Sequence, residues 1–228
     1  MLTFFRNIRK KLAAENKVMA YLRYAIGEIV LVVIGILIAL QINNWNELRK
    51  QNIAETEFIE GVKKDLIQDK HYIVIVLKQM EPKIEAFNLL NNEVLLKRHN
   101  ENIDSLFQNY FVTQRTFYPV TGSFQSGISG NVINNYKNKE ITSLVIKLYN
   151  STYSRLIDNG KILDDRWDYL RRKYIHEYRT GNFQTAKFSE IMDDMYYHYI
   201  QLQWYRGVLN DTLIEIDELF KKINDEIL

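Results

Sequence analysis

From Ala25 to Ile42 the chain is apolar except for Glu28 and Gln41. At 1.5 Å of rise per residue, these positions make about 27 Å of helix, close to the roughly 30 Å hydrocarbon core of a bilayer. They predict one transmembrane helix over residues 21–43. Beyond it, apolar residues recur three and four apart, the period of a helix with one face on a core. Phe58, Val62, Leu66, Ile73, Val76 and Met80 carry that period to Pro82. The β-branched run Ile73–Leu77 lies inside the longer period and reads as helix. A second segment starts at Pro82 with Ile84, Phe87, Leu90 and Val94, and a short helix is predicted over Ile103–Tyr110. Thr113 to Gly130 contains Pro119 and three glycines and is expected to be irregular, serving either as a crossover that also starts the next helix or as a ligand lid or contact loop. A third long helix is predicted from Lys139, capped by Asn138, to Gly181, which suits a C-terminal cap. The last segment carries Phe188, Met192, Met195, Tyr199, Leu202, Arg206, Leu209, Leu213, Ile216, Phe220, Ile223 and Ile227, alternately four and three apart, as in a heptad seam.

The chain of 228 residues has 2 prolines and 9 glycines, too few breakers for anything but long regular elements. The predicted fold is all-α: one N-terminal transmembrane helix continuing into an elongated antiparallel helical bundle of about four long helices. Three parts follow: a basic amphipathic tail over 1–20, the span over 21–43 and a helical-bundle domain over 44–228. There is no cysteine, so disulfides and thiolate metal sites are excluded. A net charge of +2 points to no strongly acidic or basic partner.

Six positive charges, Arg6, Arg9, Lys10, Lys11, Lys17 and Arg23, precede the span, and Arg49 and Lys50 are the nearest after it. That bias places the N-terminus in the cytoplasm and the large domain outside. Phe4, Phe5, Ile8 and Leu12 fall near helical spacing, so the tail reads either as an amphipathic helix on an anionic membrane face or as a solvated basic flank. A cleaved signal peptide is the competing reading, but Leu37-x-Ala39 is a poor cleavage site.

Within the span, Glu28 is the ionisable exception, and such residues are costly in lipid. Gly35 and Ala39 follow it at helical spacing on the same face, and a small-xxx-small pair lets helices approach closely. The three residues together read as a helix-packing face for an oligomer, with an ion-coupled role for Glu28 as the alternative. Trp45 is a candidate interfacial anchor. Arg206 interrupts the last heptad seam and reads as a buried polar seam residue, paired with Asp65, Asp69, Asp164 or Asp165, or else as an anion site. None of His71, His99, His176 and His198 belongs to Glu-x-x-His or His-Glu-x-x-His, and no Gly-x-Ser-x-Gly or P-loop is present. Asp194 and His198 are four apart and are expected not to hold a metal. No catalytic residue, cofactor or metal is expected. Arg166 to Tyr174 interleaves bases and aromatics, but acidic neighbours make it a solvated helix face rather than a nucleic-acid surface.

The stretch Tyr24-Ala-Ile-Gly-Glu-Ile-Val-Leu-Val-Val-Ile-Gly-Ile-Leu-Ile-Ala-Leu-Gln-Ile-Asn-Asn-Trp-Asn-Glu47 follows a basic, Phe-rich start. It resembles the N-terminal signature of an uncharacterised family of single-span membrane proteins found in Bacteroidota. The turn at Ser126-Gly127, the pair Ile133-Asn134 and the run to Leu148-Tyr149 are similar to a weaker pattern of that family. The resemblance implies an inner membrane and a periplasmic domain, and it carries no reaction. The expected function is that of an interaction, scaffold or sensory module whose partners are the lipid bilayer and either a second copy or another membrane protein. An accessory subunit of an ion-driven or transport complex is the alternative.

Overall fold

The computed structural model describes Arg6 and residues 18–96, 103–183 and 186–227. The predicted tail helix, apart from Arg6, and the polar cluster at 97–102 lie outside them. No strand occurs among the described residues. The chain divides into two units, Met1–Ala54 and Glu55–Leu228. The first helix, α1 (Val18–Leu96), contributes to both. In the first unit its large described apolar side chains are exposed, including Ile29, Leu31, Leu37 and Ile42. This stretch is long and apolar enough to cross a membrane.

Pro82 was expected to separate two helical segments, but it lies inside α1. A proline there removes one helical hydrogen bond, the one to the carbonyl of Lys78. Lys78 is exposed, so water can take that bond. Val76, Met80, Ile84, Phe87 and Leu90 are all buried on either side of the proline, so one apolar face holds the helix through it.

The second unit continues with α2 (Ile103–Tyr110), α3 (Gly122–Ser129), α4 (Val132–Asn135) and α5 (Lys139–Lys147). A single π-helical turn, Leu148–Thr152, leads into α6 (Tyr153–Lys173), followed by α7 (Ile175–Thr180) and α8 (Phe188–Ile227). Asn138 caps α5 as its type predicts, accepting from the amides of Glu140 at 3.0 Å and Ile141 at 3.2 Å. Gly181 ends α7 in the left-handed conformation at φ 67°, which glycine adopts without a Cβ penalty. The expected irregular stretch Thr113–Gly130 is irregular only up to Thr121, because α3 occupies most of its second half.

Cross-links between the long helices fix their directions. Asn138 meets Glu226, Lys147 meets Glu215 and Arg166 meets the Tyr197 carbonyl, so α5 and α6 run antiparallel to α8. Lys70 pairs with Asp217, and the Tyr199 hydroxyl donates to Asn88, so α1 is antiparallel to α8 as well. α1 and α6 are therefore parallel, and the chain must travel back along α1 between them. It does so in the extended segment 111–121. Val112 lies beside Lys83, Val120 beside Asp69 and Ser123 beside Asp65. Among the described residues, three long helical runs, rather than about four, enclose a core in two clusters. One is centred on Val62, Leu66, Val76, Leu156, Leu209 and Ile216. The other is aromatic and includes Phe87, Phe107, Tyr110, Phe111, Trp167 and Phe183.

Candidate functional site

An extended segment inside a helical bundle has no neighbouring strand, so its backbone polar groups must find side-chain partners. They do. The Phe117 amide donates to the Tyr205 hydroxyl at 3.0 Å. The Val120 amide donates to Asp69 Oδ1 at 2.8 Å, and the Ser123 amide donates to Asp65 Oδ2 at 3.1 Å. On the acceptor side, the buried Lys83 amine donates to the carbonyls of Tyr110 at 2.6 Å and Val112 at 2.7 Å. Lys83 Nζ also lies 3.6 Å from the centroid of the Trp167 ring, a cation–π arrangement. Burial pushes the Lys83 amine well below its ordinary range.

Behind the segment, His198 is fully buried with both ring nitrogens engaged. Its Nδ1 lies 2.7 Å from the Tyr110 hydroxyl and its Nε2 2.7 Å from Gln114 Oε1. The Gln114 amide nitrogen donates to the Leu163 carbonyl and to Asp164, both at 3.3 Å, so its oxygen is left to accept. His198 is therefore protonated at Nε2, and its Nδ1 accepts from Tyr110. Burial, with the charges of Lys83 and Arg166, pushes the imidazole down to about 3, so it stays neutral. The Thr116 hydroxyl closes the group by donating to Asp164 Oδ2 at 2.7 Å.

Asp69 holds the other end. Besides the Val120 amide, it accepts from the Tyr153 hydroxyl at 2.7 Å. Burial raises its carboxyl to about 6, against the opposing hydrogen bonds, and the charge of Asp65 adds to the rise. The π-helical turn just before Tyr153 brings Tyr149 and Tyr153 together edge to face, with ring centroids 5.1 Å apart. Tyr149 in turn stacks on Phe124 of α3 at 4.4 Å.

Beside this framework opens a cleft of about 380 Å³. Tyr72 of α1, Arg115 and Tyr118 of the segment, and Asp164, Trp167 and Arg171 of α6 are among its walls. Gln114 and Thr116 also face it, so the fixed polar group forms part of its floor.

The residues singled out from the sequence lie elsewhere. Gly35 and Ala39 are exposed and Glu28 is partly covered, and nothing lies within 4 Å of where a Cβ on Gly35 would sit. Trp45 is 66% exposed. Arg206, expected to be buried in the seam of the last helix, is half-buried and makes no ion pair with a described residue. The interior position belongs to its neighbour Tyr205. Of the four expected carboxylate partners of Arg206, Asp65 and Asp69 hold the segment and Asp164 holds Thr116 and Gln114. Asp194 bonds Lys173 and the Tyr174 hydroxyl. Among the described residues, no three metal-ligating side chains converge. Sequence reading missed Lys83, which falls in phase with the buried Val76, Met80, Phe87 and Leu90. A lysine on an apolar helical face was the available signal.

These features define an all-α protein with one helix long and apolar enough to span a membrane and a second, helical unit built around a side-chain-supported extended segment. The chain belongs to the Family of unknown function (DUF6090), whose model matches residues 28–202. No significant match is found among curated proteins or among solved structures.

Proposed function

We propose that the protein is a membrane-anchored helical-bundle module that works by binding and organising partners, as an interaction, scaffold or sensory component, and not by catalysis. One observation carries this reading. Over the stretch from Leu22 to Ile42, large apolar side chains are exposed on every side of α1, with Val30, Leu31, Val32 and Val33 between 47% and 62% exposed. Soluble proteins rarely expose a contiguous apolar surface of that extent, and lipid or another apolar helix is what covers it. The face bearing Glu28, Gly35 and Ala39 is the one suited to a second copy, because small residues allow backbones to approach. The charge bias of the N-terminal residues supports an orientation with the N-terminus cytoplasmic and the helical unit outside, and the resemblance of the span to an inner-membrane family supports a periplasmic place for that unit.

The chain lacks cysteine, which makes the test clean. Single cysteines at Gly35, Ala39 and Leu37 are oxidised in native membranes. Cross-linked dimers are expected at 35 and 39, and not at Leu37 on the opposite face. Equal cross-linking at all three, or at none, rejects the seam. A cysteine at the exposed Ile214 should react with a membrane-impermeant maleimide in intact cells if the unit is periplasmic. Glu28→Gln separates the alternative of an ion-driven complex, because there the cross-links persist while cellular function is lost.

A further inference from the structure

The cleft beside the extended segment has the features of a ligand site, and they are independent of any self-association. Its two guanidinium groups, Arg115 and Arg171, are exposed and make no ion pair with a described residue. The next arginine, Arg172, differs: it is tied to Asp168 at 2.7 Å. Flat aromatic side chains, Tyr72, Tyr118 and Trp167, form the walls around the two arginines. The polar floor does not need to reorganise, because Gln114 is held by His198 and Asp164 by Thr116. A volume of about 380 Å³ is in the range that holds a small organic molecule.

We propose that this cleft binds a small aromatic carboxylate, its carboxylate held by Arg115 and Arg171 and its ring laid against Tyr72 and Tyr118, beside Trp167. The chemistry follows from the lining. A guanidinium presents a planar fork that matches a carboxylate, and aromatic faces favour a flat apolar body over a hydrated one. Asp164 and Asp168 stand at the same cleft, so its local charge is near balance and suits a monoanion better than a phosphate dianion. Asp164 keeps free lone pairs after accepting from Thr116 and Gln114, and can take a hydroxyl on the ring.

The probe is 4-hydroxyphenylacetate, with its neutral amide as control, titrated into the full chain in mild detergent. The chain has three tryptophans, so a Trp45→Phe/Trp204→Phe background leaves Trp167 in the cleft wall as the fluorescence reporter. The expected result is a saturable change with the acid at a Kd on the order of 1 μM to 1 mM, and at least tenfold weaker binding of the amide. Arg115→Gln and Arg171→Gln should each weaken the acid about tenfold or more, while Arg155→Gln, at an exposed position of α6 outside the cleft, leaves it unchanged. Both arginines are exposed, so their replacement leaves the fold intact, which a thermal melt checks. Equal binding of acid and amide, no saturable change, or full binding in the Arg115→Gln/Arg171→Gln double variant overturns the proposal. Displacement of the acid by millimolar inorganic phosphate does so as well, since it would make the cleft a general anion site.

Discussion

Lys83→Met isolates the role of the buried amine. Methionine keeps the length and most of the volume of lysine, so the change leaves no cavity and removes only the amine. Two things are lost. The carbonyls of Tyr110 and Val112, now at 2.6 and 2.7 Å from Nζ, lose their donor. The contact with the Trp167 face at 3.6 Å goes too. A buried acceptor left without a partner costs about 1–3 kcal/mol, and relief from burying the amine returns part of that. The net expectation is a loss of about 2–4 kcal/mol, a large share of the roughly 5–15 kcal/mol that holds a domain together. In a thermal melt this is a drop on the order of 5–15 °C. Lys78→Met is the control: this lysine is exposed on the same helix and should shift stability by no more than about 0.5 kcal/mol. pH provides a second readout. Burial pushes the Lys83 amine down from 10.5, so the folded chain holds that proton less tightly than the unfolded one. The contribution of Lys83 to stability therefore grows as pH rises towards 10.5 and is lost as pH falls through the folded value. Lys83→Met should lack that slope. A variant as stable as the parent, with the same alkaline slope, would refute the idea that Lys83 holds the segment.

Three further substitutions probe the same framework. Asp69 has its carboxyl raised from 3.8 to about 6, so the folded state binds its proton more tightly. That contribution is complete below pH 3.8 and is lost as pH rises through about 6, worth roughly 3 kcal/mol. Asp69→Asn should flatten the stability profile between pH 4 and 6 in denaturant titrations without destabilising the chain at pH 7, and an unchanged slope would count against it. Tyr205→Phe leaves the buried Phe117 amide without its acceptor, for a loss of about 1–3 kcal/mol and faster hydrogen exchange at that amide. Exchange as slow as in the parent would show that the hydroxyl is not its partner. Gly127→Ala puts a Cβ 2.4 Å from the Phe58 ring, and overpacking of this kind costs about 1–3 kcal/mol, read as a lower Tm, whereas a neutral result would mean that α3 can shift outward freely.

Much of the architecture was legible. The long apolar stretch, the three- and four-residue spacing, the Asn138 cap and the Gly181 terminator are all local signals, and the structure uses each of them. Local rules mislead where they compete with packing. Pro82 is a helix breaker by its chemistry, yet the apolar positions on both sides share one buried face, and the cost of a single lost hydrogen bond at an exposed residue is smaller than what that face contributes. The glycines between residues 122 and 130 suggested a loop by composition. In the structure Gly127 serves close packing against Phe58, which a side chain would obstruct.

The site was hardly legible, and α8 shows why. Its buried positions include Ile191, Met195, His198, Leu202, Tyr205, Leu209, Thr212, Ile216, Leu219 and Ile223, spaced four and three apart. The apolar reading took Met195, Leu202, Leu209, Ile216 and Ile223 correctly, but paired them with Tyr199, Arg206, Leu213 and Phe220, on the other flank of the same stripe. Hydrophobicity prefers that flank because it cannot credit His198, Tyr205 and Thr212 with burial. These residues are inside because each has a partner there: His198 with Tyr110 and Gln114, Tyr205 with the Phe117 amide, and Thr212 with the Val208 carbonyl. Two of those partners belong to the extended segment, which lies some 85 residues away in sequence and whose path no local pattern specifies. A polar residue in helical phase with a core is thus a sign that some non-helical backbone must be satisfied nearby. By that rule Lys83, His198 and Tyr205 together point to a segment without a strand partner, and the cleft opens where that segment meets α6.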